Sequence, residues 1–288
     1  MSVLKSMLRT VWAAPAAPAP ASGEAGDPAG QALPGEEPAS GETAMPAPAW
    51  HLLGRQAGVQ ELDYGDIARP GLQKLFARTP RRLLDIGCAS GAVGAGLKKA
   101  KPGLWVWGCE LNERAAQVAA GRLDRVTTRP RTEWTPEEVA LLRDVDTVLL
   151  LDVLEHMVNP WDELAFLARH LPPQAQLIVS LPNVGHLSVL QELATGMFRY
   201  QPTGILDVTH LRFFTFTGMQ SMFAETGFRV DATWVLSSTP DKGPARFPAQ
   251  VAAGKVQVTV ENEEEWKRLN AIQFGFRLRP DAPPAVPT

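Results

Sequence analysis

The 288-residue sequence predicts an α/β fold, a three-layer α/β/α sandwich with helices on both faces of a parallel sheet. Three observations predict it. An apolar run at 82–86 ends in a glycine-punctuated turn, Gly87-Cys88-Ala89-Ser90-Gly91-Ala92-Val93-Gly94, and an Ala/Leu-rich segment follows. Short apolar runs then alternate with helix-length segments, the pattern of βαβ units. The run at 145–151 (VDTVLLL) is almost wholly apolar, as suits a central strand covered on both faces.

In chain order, the segment 64–78 reads as a short helix interrupted by Pro70-Gly71 and covering one end of the domain. The first strand at 82–86 hands over to a helix at 92–99, which stops at Lys101-Pro102-Gly103. A strand at 104–109 ends at Glu110, and Asn112 opens the next helix. A strand at 125–128 and a helix at 136–143 precede the central strand, which ends in Asp152-Val153-Leu154-Glu155-His156. Asn159-Pro160 opens a helix at 161–170, stopped by Pro172-Pro173, before a strand at 176–180. His186 opens a further helix. An insertion at 196–216 then interleaves Phe198, Tyr200, Phe213, Phe214 and Phe216 with Arg199, Asp207 and Arg212. A helix at 217–226, a strand at 228–236, a helix at 261–270 and a strand at 271–278 close the domain.

Residues 1–49 differ in kind. They hold 8 of the 25 prolines and 13 alanines, with almost no large apolar residue after Trp12. Such a segment buries too little surface to offset its ordering entropy and is expected to be a disordered extension. Lys5 and Arg9 interrupt the mildly apolar start, which argues against a targeting signal. The folded domain is expected at 50–280, with a flexible end at 281–288. Net charge is −3 at pH 7, so no basic excess marks a nucleic-acid partner. No apolar run reaches the length of a transmembrane helix. The two cysteines, Cys88 and Cys109, read as small packing residues in a reducing, cytoplasmic compartment. The five histidines show no metal-ligand spacing, so no metal is expected.

The glycine turn carries the chemistry. Glycines let the backbone approach a ligand, and the following helix offers unpaired N–H groups and a partial positive charge. A dinucleotide site would show Gly-x-Gly-x-x-Gly; here the order is Gly87-x-x-x-Gly91-x-x-Gly94, preceded by Asp85. A carboxylate at a strand end disfavours pyrophosphate and suits a cation. Glu110, 19 residues beyond Gly91, sits where nucleoside-binding α/β domains place an acid that accepts hydrogen bonds from both ribose hydroxyls. Each such charged bond contributes roughly 1.5–3 kcal/mol.

The stretch Leu83-Leu84-Asp85-Ile86-Gly87-Cys88-Ala89-Ser90-Gly91 resembles the first motif of class I S-adenosylmethionine (SAM)-dependent methyltransferases. Glu110 matches their ribose-binding acid, and Leu150-Leu151-Asp152-Val153-Leu154-Glu155-His156 their fourth-strand motif. Three later segments are similar to bacterial methyltransferase domains that accompany or are fused to glycosyltransferases in surface-polysaccharide synthesis. They are Leu181-Pro182-Asn183-Val184, the run 204–215 (GILDVTHLRFFT) and the run 271–280 (AIQFGFRLRP). The resemblance covers roughly 60–280. It implies a Rossmann-like, seven-stranded, mostly parallel sheet closed by an antiparallel pair, and SAM as cofactor. The expected cofactor-binding residues are Asp85, Gly87, Cys88, Ser90, Gly91, Glu110, Leu111, Asp152 and Val153. It further implies methyl transfer to oxygen of a sugar, glycan or related small molecule, with a glycosyltransferase as partner. Many relatives carry an acid after the third strand that meets the adenine amino group. Here the segment Val126-Thr127-Thr128-Arg129-Pro130-Arg131 has no carboxylate, which leaves Thr128 or a backbone carbonyl.

An oxygen acceptor benefits from a general base, typically worth ~10²–10⁴-fold. His156 and His210 are the catalytic candidates. Each also reads as a structural histidine, and His186 as a helix cap. The insertion, with aromatic faces beside charged groups, reads either as a binding surface for a polar ring or as a lid packed on the sheet. The alternative to an enzyme is a SAM-binding, non-catalytic partner subunit. A nicotinamide oxidoreductase is disfavoured by Asp85 and by the missing second glycine.

Overall fold

The protein is described from a computed structural model that covers residues 69, 71–240 and 243–281. The expected extension 1–49, residues 50–68 and Pro70 of the expected domain, and the tail at 282–288 lie outside the described residues. Of the helix expected over 64–78, the described part holds one 3-10 turn, Leu72–Leu75, entered through Gly71 at φ +94°.

Seven strands form the main sheet in the order β3-β2-β1-β4-β5-β9-β6. These are β1 (Arg82–Ile86), β2 (Trp105–Cys109), β3 (Arg125–Thr127), β4 (Thr147–Leu151), β5 (Gln176–Pro182), β6 (Phe228–Ser238) and β9 (Ala271–Pro280). Strands β3, β2, β1, β4 and β5 pair parallel, and β9 runs antiparallel between β5 and β6. This is the seven-stranded, mostly parallel arrangement expected. The order reverses between β1 and β4, and a ligand crevice opens outside the carboxyl ends of strands at such a switch point.

Side-chain alternation along β1 builds both faces of the sheet. Leu84 and Ile86 join Trp107, Leu150, Leu164, Leu167 and Phe223 in one buried cluster. Leu83 joins Val106, Leu149, Ile178, Leu97 and Leu123 in the other. The covering helices start where the caps dictate. α1 (Ala92–Ala100) begins directly after the glycine loop, and α2 (Glu113–Ala120) is capped by the Asn112 side chain. α3 (Pro136–Leu141) starts in a Thr135–Glu138 capping box, and α4 (Pro160–His170) follows the Asn159 cap with proline in its first turn. α3 is shorter than the segment expected over 136–143, because Leu142–Asp144 tighten into a 3-10 turn before β4. α5 (Leu187–Leu193) is capped by His186, whose ring accepts the Ser188 N–H, so the capping reading of that histidine holds. α6 (Phe216–Glu225) packs Met219, Met222 and Phe223 into the core.

One hairpin is absent from the sequence expectations. β7 (Ala249–Ala253) and β8 (Val256–Val260) pair antiparallel around a Gly254-Lys255 turn, with Gly254 at φ +58°. It shares a small cluster, Leu187, Val260 and Trp266, with α5 and with α7 (Glu263–Asn270). The alternation of Gln250, Val251 and Ala252 with Gln257, Val258 and Thr259 around a glycine turn was the readable signal.

Candidate functional site

The parallel register aligns the carboxyl ends of three adjacent strands. Ile86 lies opposite Cys109 on one side and Leu150 on the other. The glycine loop, Glu110 and Asp152 are therefore neighbours at the mouth of one crevice. The ladder extends into the loop: the N–H groups of Gly87 and Cys88 both donate to the Cys109 carbonyl, at 2.8 and 3.1 Å. Gly91 N–H then donates back to the Cys88 carbonyl at 2.8 Å, closing a tight turn at the start of α1.

Two loop positions demand glycine. At Gly87 (φ +71°) a Cβ would stand 2.6 Å from Val153 Cγ2, so the loop after β1 and the turn after β4 touch through that absent atom. At Gly91 (φ +76°) a Cβ would press on Ala119 and Leu123 at 3.1 Å. Ala89 takes φ +46° although it carries a Cβ. Its N–H donates to Glu110 Oε2 at 2.9 Å, while Glu110 Oε1 accepts the Asn112 N–H at 2.8 Å. Glu110 is thus fixed by the backbone on both sides and braces the strained loop.

Asp85 is buried at 3% exposure, and its Oδ2 has no hydrogen-bond partner. Burial pushes its carboxyl up to about 7, against the pull of the Arg69 guanidinium and with a push from Glu110. Cys88 and Cys109 are free, buried thiols pushed well above their ordinary range by burial. Both therefore stay protonated near neutral pH, as packing residues do. Ser90 presents its carbonyl and hydroxyl to the Arg122 guanidinium, each at 3.2 Å. Leu111 stands 48% exposed beside Glu110, and Thr128 is exposed after β3.

Asp152 follows β4 at φ +59°. Its carboxylate accepts from Arg69 at 2.6 Å, from the Ser180 hydroxyl at 2.7 Å and from the Gln273 amide. Arg69, Ser180 and Gln273 were not among the residues singled out in the sequence. They lie 83, 28 and 121 positions from Asp152, and no local pattern connects them.

The insertion 196–216 lies against the strand ends beyond β4 and β5. Asn183 pairs with Phe214 in an isolated bridge, and Gln201 with Asp207. The Glu155 carbonyl accepts the N–H groups of Leu211 and Arg212 at 2.8 and 3.0 Å, which ties the insertion to the turn after β4. That tie brings the rings of His156 and His210 edge to face, with centroids 4.8 Å apart. Burial lowers the pKa of both, and for His156 the charge of its partner His210 lowers it further. Glu155, buried at 1% exposure, is raised well above the carboxylate range by burial and then by Asp152. Ligand atoms of Glu155, His156 and His210 lie within 4.8 Å of one another. Histidine spacing along the chain could not reveal this cluster, because His210 lies 54 positions beyond His156 and 55 beyond Glu155.

The aromatic residues of the insertion divide by burial. Phe214 is buried against Trp161, and Phe216 packs on Phe274. Phe198, Tyr200 and Phe213 form a partly exposed trio with centroids 5.3–6.4 Å apart, and Phe213 reaches His210 at 6.2 Å.

Comparison with known proteins adds three findings. A family model described as "Methyltransferase domain" matches residues 61–233. Two curated proteins named "Ubiquinone biosynthesis O-methyltransferase" are similar. The one from Dechloromonas aromatica is 30% identical over 42% of this chain and 56% of its own length, and the one from Alkalilimnicola ehrlichii is 32% identical over 44% and 53%. The chain thus spans about half the length of the curated relatives it matches. The fold is that of a SAM-dependent methyltransferase from Archaeoglobus fulgidus (TM-score 0.51, 18% identity, 80% of this chain and 99% of that one).

Proposed function

The chain belongs to the methyltransferase-domain family, and from that premise we propose that it transfers the methyl group of SAM to an oxygen of a small-molecule acceptor. The observation that carries this reading is the pair of carboxylates flanking the glycine loop at the β1/β4 switch point. The buried, unpartnered Asp85 Oδ2 fits a cationic ligand. When bound, SAM supplies a methyl carbon activated by a sulfonium.

The chain's own residues do the rest. Glu110 accepts from the ribose hydroxyls, while Asp85 and the Gly87–Gly91 loop hold the amino-acid end. Asp152, Val153 and Leu111 wall the crevice. The domain spans 50–280, and the insertion 196–216 is its acceptor-side lid. Near neutral pH the lowered pKa values leave His156 and His210 uncharged, so either ring can accept a proton from the acceptor hydroxyl.

Two acceptor classes have support. The trio Phe198, Tyr200 and Phe213 beside Arg199 and Arg212 suits a ring carrying polar groups, such as a sugar. The names of the curated relatives point instead to a ubiquinone-type ring. A glycan acceptor and a glycosyltransferase partner rest only on the likeness of the later segments. Two free, buried cysteines support a reducing compartment, the cytoplasm. Among the described residues no helix is long and apolar enough to cross a membrane.

The test is transfer from methyl-labelled SAM to a panel of nucleotide sugars, glycans, phenols and quinone precursors. A labelled ether product is expected from one class. SAM binding without product from any class would overturn the catalytic reading in favour of a SAM-binding partner subunit.

A further inference from the structure

We infer that Glu155, His156 and His210 form a binding site for a divalent transition-metal ion at the acceptor end of the crevice. Their ligand atoms lie within 4.8 Å of one another. Metal–ligand bonds of about 2.0–2.2 Å place ligand atoms roughly 3–3.5 Å apart, so side-chain rotations of about an ångström close the set.

The surroundings prepare each residue as a ligand. Glu155 Oε2 is buried and has no hydrogen-bond partner, an arrangement that is costly unless something else occupies that position. His210 Nδ1 lies 3.0 Å from the Ile205 carbonyl. A ring N–H donated there leaves Nε2 with its lone pair. His156 Nδ1 faces the Thr209 carbonyl at 3.3 Å and the Thr209 hydroxyl at 3.1 Å. That hydroxyl spends its single proton on Asp207 Oδ1 at 2.6 Å, so toward His156 it can only accept. Both histidines are therefore held with the proton on Nδ1 and Nε2 open, the orientation that outer hydrogen bonds impose on metal-binding imidazoles.

The donor set decides the ion class. Two imidazoles and one carboxylate suit Zn²⁺, Co²⁺, Fe²⁺ or Mn²⁺, whereas Mg²⁺ and Ca²⁺ prefer all-oxygen shells. Three protein ligands leave coordination positions open, and an acceptor presenting one hydroxyl or two adjacent ones fills them. With an ion bound, the two imidazoles act as ligands and no longer as proton acceptors; the ion lowers the hydroxyl pKa, and the proton passes to solvent. The oxygen then forms the new O–C bond as the C–S bond breaks with its electron pair going to sulfur, and no oxidant or reductant is needed. What the ion does rests on the methyl-transfer reading; whether it binds does not.

The test uses the full-length chain stripped with a chelator. It is titrated with Co²⁺ by visible absorption and with Zn²⁺ by calorimetry. One equivalent is expected to bind. Thr209→Val should weaken binding by roughly 10–100-fold, as loss of an outer hydrogen bond does, and His156→Ala or His210→Ala by more. Unchanged SAM affinity in these variants shows that they fold, and Glu155→Gln tests the carboxylate in the same way. Absence of one-equivalent binding, or binding that survives both histidine variants, overturns the site. Full methyl transfer by the stripped protein overturns the activating role. Metal binding in a chain that binds no SAM contradicts the methyl-transfer reading and leaves the site standing.

Discussion

The two ends of the crevice are built differently. At the cofactor end, one contiguous loop, Gly87 to Gly91, is held by the main-chain ladder of β1 and β2 and by a glutamate at the next strand end. At the proposed acceptor end, His156 and His210 meet because the insertion 196–216 folds back onto the turn after β4 through the Glu155 carbonyl and bridges to Asn183 through Phe214. The first construction, closed by main-chain hydrogen bonds, suits one fixed ligand. The second hangs on an insertion without a helix or strand of its own, so its residues can change with the acceptor while the sheet stays intact. Substitutions at one end should therefore leave the other end's measurement untouched.

The largest effect is expected at the acceptor end. His156→Ala and His210→Ala should each lower turnover by roughly 10²–10⁴-fold, the range of a lost proton acceptor, measured as labelled product per unit time at saturating SAM. Full activity in both variants would remove the histidines from the chemistry. At the cofactor end, Glu110→Ala should weaken SAM by roughly 100-fold or more, since two charged hydrogen bonds are lost and Ala89 loses its brace.

A smaller effect separates Asp85 from Glu110. Burial holds the Asp85 carboxyl protonated up to about pH 7, against 3.8 for a free aspartate. A carboxyl raised in this way favours the folded state below pH 4, and that contribution is lost as pH rises through 7. Binding of a cation requires the ionised form and runs the other way. SAM affinity should fall as pH drops below about 7, by up to tenfold per pH unit, and Asp85→Asn should bind weakly with a flat profile. A wild-type profile that is flat from pH 5 to 8 would contradict the assignment.

The smallest effect concerns the loop's strain. Ala89 sits at φ +46°, where glycine is more comfortable by about 1 kcal/mol. Ala89→Gly should raise thermal stability by a few degrees at unchanged SAM affinity, read by melting curves and calorimetry.

The same contrast explains what could be read in advance. Strand β1 was expected at 82–86 and is found there, because an apolar run, a glycine turn and an Ala/Leu helix are all local signals. The placement of Asp85, Gly87 and Glu110 around one crevice follows from strand-end chemistry and parallel register alone. Asp152 was singled out, but its partners Arg69, Ser180 and Gln273 were not, since each comes from a different element. The Glu155–His156–His210 cluster was invisible to spacing for the same reason: it exists only after the insertion docks. The β7–β8 hairpin is weakly marked in the sequence despite its alternation, because its strands are short and border a helix-forming segment.

The most direct test is one calorimetric SAM titration performed on three proteins side by side: wild type, Glu110→Ala and His210→Ala. Glu110→Ala is expected to lose roughly two orders of magnitude in affinity, while His210→Ala binds SAM as the wild type does. Equal affinity in wild type and Glu110→Ala, or parallel losses in both variants, would contradict the division of the crevice into a cofactor end and an acceptor end.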